Sequence, residues 1–282
     1  MNSPTKDSVP VGVRSQSTAV QNGDQLLPLL YRIEQRSGWS VGMRRITRAL
    51  LADYTLPPGL LADIGCGGGG ALAELAALHP DRTLCGVDLH TQALSHAQAH
   101  VTPNVSFAQA DLHALPFCDN SVALLLALDA YDQRGVDLSC ALRECRRVLC
   151  PDGLLLVRVS AFAWLTGPHD DAFNTGHRYE AAELLQWLEE VGYSLERVTF
   201  ANTLLSLPEG ALRLFQRWRM LPFFPSLYTT RAVDVLLEVA LAGEARWLEQ
   251  HDLPGGMSLY AVARKTCGGR AAQGSRIQGR YQ

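Results

Sequence analysis

The sequence has no excess of basic residues, no Cys-x-x-Cys pair and no apolar run long enough to span a bilayer. Each absence removes a class of function. Lys and Arg total 25 against 28 Asp and Glu, a formal net charge of −3, so electrostatics gives no support for a nucleic-acid partner. The seven cysteines are odd in number and scattered; they read as free thiols of a reducing cytosol, not as a disulfide framework or a metal site. Cys140, Cys145 and Cys150 step by five, which scatters them around the surface of a helix. His96 and His100 share a helix face at i and i+4, but they lack an intervening Glu and a third ligand. They read as surface residues, and no metal is expected. Residues 1–23 are polar and lack the apolar core of a secretory leader, so they read as a disordered N-terminus; the Gly- and Arg-containing residues 266–282 read as a disordered tail. The expectation is a cytoplasmic protein without a transmembrane segment. Peripheral membrane contact stays open and the oligomeric state is not determined.

What is present is a chain of 282 residues, 47% hydrophobic and 19% charged, which suits one α/β domain with additions. Its most informative stretch is Leu60-Leu61-Ala62-Asp63-Ile64-Gly65-Cys66-Gly67-Gly68-Gly69-Gly70, followed by a helix-like run from Ala71 to Leu78. Strand, tight glycine loop and helix start are the arrangement that brings a nucleotide-like cofactor against bare backbone. Gly65, Gly67 and Gly69 remove side chains that would block that approach and tolerate positive φ.

Two cofactors compete. Glycines at 65, 67 and 70 also satisfy the dinucleotide pattern of a Rossmann dehydrogenase. Asp63 argues against it, because an acid beside a pyrophosphate site would repel the anion that a helix N-terminus attracts. S-adenosylmethionine carries a sulfonium and an amino group and no phosphate, so a nearby acid favours it. A second strand ends in Val87-Asp88-Leu89, and a carboxylate there accepts hydrogen bonds from a ribose diol; a helix N-cap role for Asp88 is the alternative. A third strand ends in Ala110-Asp111-Leu112, followed by Leu115-Pro116-Phe117. Asp111 is placed to accept from an adenine amino group, with Leu112 against the ring; taken alone it reads equally as an exposed turn acid.

These residues resemble the class I S-adenosylmethionine-dependent methyltransferases of the bacterial small-molecule type. The Asp-x-Gly-x-Gly-x-Gly loop, the Val-Asp-Leu strand end and the Ala-Asp-Leu-x-x-Leu-Pro-Phe segment match, as does the helix from Ala141 to Val148 leading into Cys150-Pro151-Asp152-Gly153. The family usually has Arg-Pro-Gly-Gly there, and the departure keeps the turn chemistry. The resemblance implies an α/β fold: a Rossmann-like, mostly parallel seven-stranded sheet with helices on both faces. It places a methyltransferase domain at 24–265 and S-adenosyl-L-methionine as cofactor. Strands are expected near 60–63, 83–87, 105–108, 122–127, 153–159, 194–200 and 258–265, the last antiparallel by family. Two N-terminal helices, at 26–36 and 41–54, are expected to join at Gly38; by resemblance Tyr31, Arg36 or Trp39 reaches the cofactor, or each equally packs against the domain edge. Asp63, Gly65, Gly67, Gly69, Asp88, Leu89, Asp111, Leu112 and Asp129 form the expected cofactor site.

Between residues 203 and 252 lies a helical insertion, with Ala211, Leu214, Phe215 and Trp218 at helical spacing and a second, apolar helix at 232–241. It reads as a lid or wall for an apolar acceptor, or equally as a helical pair packed on the sheet or on another subunit; a basic membrane-facing surface is a third reading. The resemblance sets Ala127-Leu128-Asp129-Ala130-Tyr131-Asp132-Gln133 opposite the transferred methyl, with Gln133 where relatives carry a histidine. Tyr131 and His169, the latter followed by two acids in a loop beyond the fifth strand, are the candidate catalytic residues; a loop histidine capping or bridging local structure is the alternative for His169. His177, Arg178 and Tyr179 either hold that loop or contact an acceptor carboxylate. The function expected is methyl transfer to a small, partly apolar metabolite, with oxygen favoured as target. The alternatives are a non-catalytic S-adenosylmethionine-binding module and an NAD(P)-dependent oxidoreductase.

Overall fold

The computed structural model describes residues 36–100, 104–206, 210 and 230–266. Seven strands form one sheet: β1 Leu60–Ile64, β2 Leu84–Asp88, β3 Val105–Gln109, β4 Val122–Leu128, β5 Leu149–Ser160, β6 Tyr193–Ala201 and β7 Ser258–Lys265. Their order across the sheet is β3-β2-β1-β4-β5-β7-β6. The pairs from β3 to β5 are parallel, and β7 runs antiparallel to both β5 and β6. The sequence reverses direction across the sheet between β1 and β4. In an open parallel sheet, ligands bind beyond the carboxyl ends of the strands at such a switch point.

The helices are α1 Gly38–Leu51, α2 Gly70–Leu78, α3 Thr91–Gln98, α4 Leu138–Val148, α5 Pro168–Ala172, α6 Ala181–Val191 and α7 Arg231–Leu248. Successive strand residues face opposite sides, and the sheet carries a core on each. Ala62, Ile64 and Leu125 pack with Leu142 of α4 and Leu184 of α6. Leu61, Leu124 and Leu126 pack with Ile46 of α1, Leu72 of α2 and Leu241 of α7. The central strands are therefore apolar on both faces, which is why β4 reads as the unbroken run Val122-Ala123-Leu124-Leu125-Leu126-Ala127-Leu128. Truncating one of these leucines to Ala costs about 2–5 kcal/mol.

Three local expectations need correction. Gly38 lies inside a helix, as the first residue of α1; the break falls one residue earlier, at Ser37, which caps that helix by accepting from Ser40 N. Glycine is required there by close approach, since a Cβ would stand 1.8 Å from the Asp234 carbonyl oxygen of α7. The fifth strand begins at Leu149, ahead of Pro151-Asp152-Gly153, and its register against β4 shifts between Val122 and Leu124. The turn chemistry is thus absorbed as an irregularity in a longer strand, with Asp152 at φ 61°. Cys150 accordingly lies in β5 and not on a helix, and Cys145 is fully buried in α4. The expected helix at 26–36, apart from Arg36, and the stripe at 211–218 lie outside the described residues, as do the two termini read as disordered.

The one helix of the 203–252 insertion described over its full length is α7, which runs to Leu248 and not to Leu241. It packs along α1. Leu241 fills the space above Gly42, Gly38 N donates to the Asp234 carboxylate at 3.1 Å, and Arg45 pairs with Glu238 at 2.6 Å. Glu244 is buried and accepts backbone N–H groups from Asn202 and Leu204, both at 2.7 Å, which pins the chain as it leaves β6. No helix among the described residues is long and apolar enough to cross a membrane.

Candidate functional site

The site begins where β1 ends. Gly65, Gly67 and Gly69 have φ of 71°, 50° and 78°, the left-handed region that glycine enters without strain. The loop is fastened to β2: Gly65 N and Cys66 N donate to the Val87 carbonyl, and Gly67 N donates to Asp88 Oδ2 at 3.0 Å. Gly69 is the N-cap of α2 and offers no side-chain cap of its own. A Cβ on Gly65 would come within 3.0 Å of Ala130 Cβ, so the loop lies against the turn that leaves β4.

Asp88 ends β2 and is mostly buried, with Oδ1 accepting His90 N at 2.9 Å and Oδ2 accepting Gly67 N. Each oxygen retains lone-pair capacity for a further donor. Leu89 beside it is 56% exposed. Asp111 stands just beyond β3 with an exposed carboxylate; its Oδ1 accepts His113 N at 2.9 Å and His113 Nδ1 at 2.5 Å. These bonds, the backbone one foremost, outweigh the opposing effect of burial and hold the Asp111 carboxyl below the usual range. Leu112 packs half-buried against the core. The segment that follows is clamped to α4, where Glu144 accepts Leu115 N at 2.7 Å and Arg147 donates to the carbonyls of Leu115 and Phe117.

Asp63 lies within β1, one residue before its end, and is 2% exposed. The other expected site residues divide. Asp129 terminates the β4 side with φ 57° and is gripped by Arg158 of β5 through both carboxylate oxygens. Burial alone would lower the Arg158 pKa, but Asp129 and the Tyr260 hydroxyl raise it well above the ordinary value. Tyr260 in turn meets Thr47 Oγ1 at 3.2 Å, and the Trp39 ring covers the Arg158 guanidinium at 5.5 Å. Trp39 thus reaches the site turn through Arg158.

Tyr131 is not at the site surface. It is 1% exposed, its hydroxyl lies 3.0 Å from Cys145 Sγ, and burial foremost pushes its pKa well above the ordinary value. This is a core position, and it withdraws Tyr131 as a group able to touch an acceptor. The left-handed residue Asp129 turns the chain back, so that Ala130, Tyr131 and Asp132 are all buried. His169 sits on α5, partly exposed, with its ring stacked on Phe173 at 4.4 Å and Nδ1 3.9 Å from Asp170 Oδ1.

Asp132 was invisible to sequence reasoning. Its Oδ2 accepts Ser160 N at 3.1 Å, its Oδ1 accepts Gln133 Nε2 at 3.2 Å, and its carbonyl accepts Gly176 N and His177 N. One residue therefore ties the turn after β4 to β5 and to the segment beyond α5. Burial first, then the nearby Asp129 carboxylate, pushes its pKa up to about 7. Arg178 is buried in a bidentate pair with Asp170 and also donates to the Ala161 carbonyl at 3.0 Å. His177 pairs with Glu183 at 2.9 Å, and Tyr179 donates to the Tyr131 carbonyl at 3.0 Å. Of the two roles open to this run, these contacts are those of holding the loop. No group of three or more His, Cys, Asp or Glu able to hold a metal occurs among the described residues.

The glycine cradle, the strand-end acids and the open face of Leu89 fit an adenosyl group bearing a cationic sulfonium. Known proteins agree. Residues 61–153 match the family model described as a methyltransferase domain. Over 150 residues the chain is 29% identical to malonyl-(acyl-carrier protein) O-methyltransferase 1 of Coxiella burnetii, covering 53% of this chain and 50% of that protein. Over 156 residues it is 31% identical to 3-hydroxy-5-methyl-1-naphthoate 3-O-methyltransferase of Streptomyces sahachiroi, covering 50% and 45%. The chain therefore spans about half the length of the curated relatives it matches. Among solved structures, an S-adenosylmethionine-dependent methyltransferase from Mesorhizobium loti superposes with TM-score 0.51 at 21% identity, covering 78% of this chain and 97% of that one. The cyclase SpnF superposes with TM-score 0.57 at 20% identity, covering 89% and 97%. These likenesses establish the fold.

Proposed function

We infer that this chain, which carries a class I S-adenosylmethionine-dependent methyltransferase domain, transfers a methyl group to a hydroxyl of a small, partly apolar metabolite. The observation that carries the reading is the hook of Gly67 N onto Asp88, which sets a bare backbone loop beside a strand-end carboxylate. When bound, S-adenosylmethionine supplies an electrophilic methyl on a sulfonium. Asp88 accepts from the ribose hydroxyls and Asp111 from the adenine amino group, with Leu89 and Leu112 against the apolar faces. The Gly65–Gly69 loop admits the rest of the group to backbone contact.

The acceptor side supports an apolar substrate. Trp164, Phe173 and Leu204 are 54%, 42% and 63% exposed, and they come from the segments leaving the carboxyl ends of β5 and β6. Phe162 stacks on Phe200 at 5.3 Å and lies 6.3 Å from the Trp164 ring. Rate in such a transfer comes mainly from alignment of the acceptor with the methyl carbon. His169 is the assigned base: it takes the hydroxyl proton as an oxygen lone pair forms the new C–O bond and the sulfur–methyl bond breaks. Its partly exposed ring, stacked on the exposed Phe173, supports that role. Both curated relatives named above are O-methyltransferases, which supports oxygen as the target.

The test is product formation. The purified chain is incubated with S-adenosylmethionine and a panel of aromatic and aliphatic hydroxy compounds, and S-adenosylhomocysteine release is measured. Acceptor-dependent release that falls at least about tenfold in His169→Ala bears the proposal out. Tight cofactor binding with no release across the panel would favour a non-catalytic binding module instead.

A further inference from the structure

His113 joins two parts of the fold that the sequence separates by 24 positions. Its Nε2 accepts the backbone N–H of Asp137 at 3.0 Å, and its Nδ1 lies 2.5 Å from Asp111 Oδ1. A neutral imidazole has one N–H and one bare nitrogen. Because a backbone N–H can only donate, Nε2 must be the bare nitrogen and Nδ1 must carry the proton. His113 can therefore only donate to Asp111. The anchor is firm, because Asp137 is the N-cap of α4 and its side chain accepts Cys140 N at 3.0 Å. With His113 N also donating to Oδ1, both bonds fall on the same carboxylate oxygen. Oδ2 has no hydrogen bond among the described residues.

We propose that His113 is a specificity-determining positioning residue, which turns the Asp111 carboxylate so that Oδ2, an acceptor only, meets the 6-position of a purine. This rests on the cofactor reading above and extends it to a residue outside that site. The consequence is discrimination by hydrogen-bond polarity. A 6-amino purine donates to Oδ2, whereas a 6-oxo purine sets a second acceptor against it. A site built around a donor rejects an analogue that lacks one far better than a site built on shape alone. The lowered pKa of Asp111 keeps it ionised and thus acceptor-only.

The experiment is calorimetric binding of S-adenosylhomocysteine and S-inosylhomocysteine to the full chain and three variants, each checked by thermal melting. Wild type should prefer the adenosyl ligand. His113→Ala should bind that ligand about tenfold more weakly, the worth of one charge-assisted hydrogen bond, and lose most of the preference. His113→Asn, whose amide N–H can replace Nδ1–H, should recover most of it. Asp111→Asn tests the same geometry with His113 in place. His113 would hold the amide oxygen and leave the amide NH₂ facing the purine, so the preference should reverse toward the inosyl ligand. A folded His113→Ala that discriminates as wild type does, or an Asp111→Asn that keeps the adenosyl preference, would overturn the proposal while leaving the cofactor reading intact. Wild type that binds neither ligand would overturn both.

Discussion

Arg158 grips both carboxylate oxygens of Asp129 from the neighbouring strand, Nε to Oδ1 at 2.9 Å and Nη2 to Oδ2 at 2.6 Å. Asp129 is a non-glycine residue at positive φ. Such a residue costs about 1–2 kcal/mol and persists where its surroundings over-determine it. The bidentate pair, roofed by Trp39, is that surrounding force. Removing the guanidinium leaves the carboxylate half-exposed and unpaired, so Arg158→Ala should lose about 2 kcal/mol, below the range for a wholly buried pair. Arg158→Lys should recover little, because a point charge cannot satisfy two oxygens in a plane. Urea denaturation measures both.

Tyr131→Phe should leave turnover unchanged and cost about 1 kcal/mol of stability. Its hydroxyl touches Cys145 Sγ in the core and reaches no ligand. Steady-state rates with urea melts check this; a large fall in rate without a fall in stability would return Tyr131 to the site.

Asp132 predicts a pH signature. Its folded pKa is raised to about 7, above the value of about 3.9 for an unfolded aspartate. A raised acid binds more protons folded than unfolded, so its contribution is full below the unfolded pKa and is lost as pH rises through the folded one. The window is therefore about pH 4 to 7. Asp132→Asn keeps an oxygen for Ser160 N and removes the titration. Its stability relative to wild type should rise across that window. Urea midpoints at a series of pH values decide it, and parallel curves for the two proteins would refute the assignment.

The strands and the glycine loop were legible because their signal is local: apolar runs of strand length, the first four closed by an acid or a glycine turn. All seven strands occur within a few residues of the expected positions. Arg158 was legible in principle, since a lone arginine in Leu154-Leu155-Leu156-Val157-Arg158-Val159 must find a carboxylate. Tyr131 misled because the residues after a strand read as exposed loop. One left-handed residue, Asp129, folds them back beneath the segment that reaches Tyr179. Asp132 and His113 sit beside expected site residues, but their own roles were not legible. Beside their near neighbours Asp111 and Gln133, what fixes them are backbone groups of Ser160, Gly176 and Asp137, brought near by tertiary packing. The insertion was legible as helix but not in its placement, because the complement of α7 is a pair of glycines, Gly38 and Gly42, in α1.

Asp88 is the residue on which the cofactor reading turns, since it fastens the glycine loop and is the proposed acceptor for the ribose hydroxyls. The most direct measurement is calorimetric binding of S-adenosylmethionine, S-adenosylhomocysteine and NADH to the chain and to Asp88→Ala. The account predicts micromolar binding of the first two, about −8 kcal/mol, weakened at least about tenfold by the substitution, and no binding of NADH. Binding of NADH alone would contradict it and discard methyl transfer.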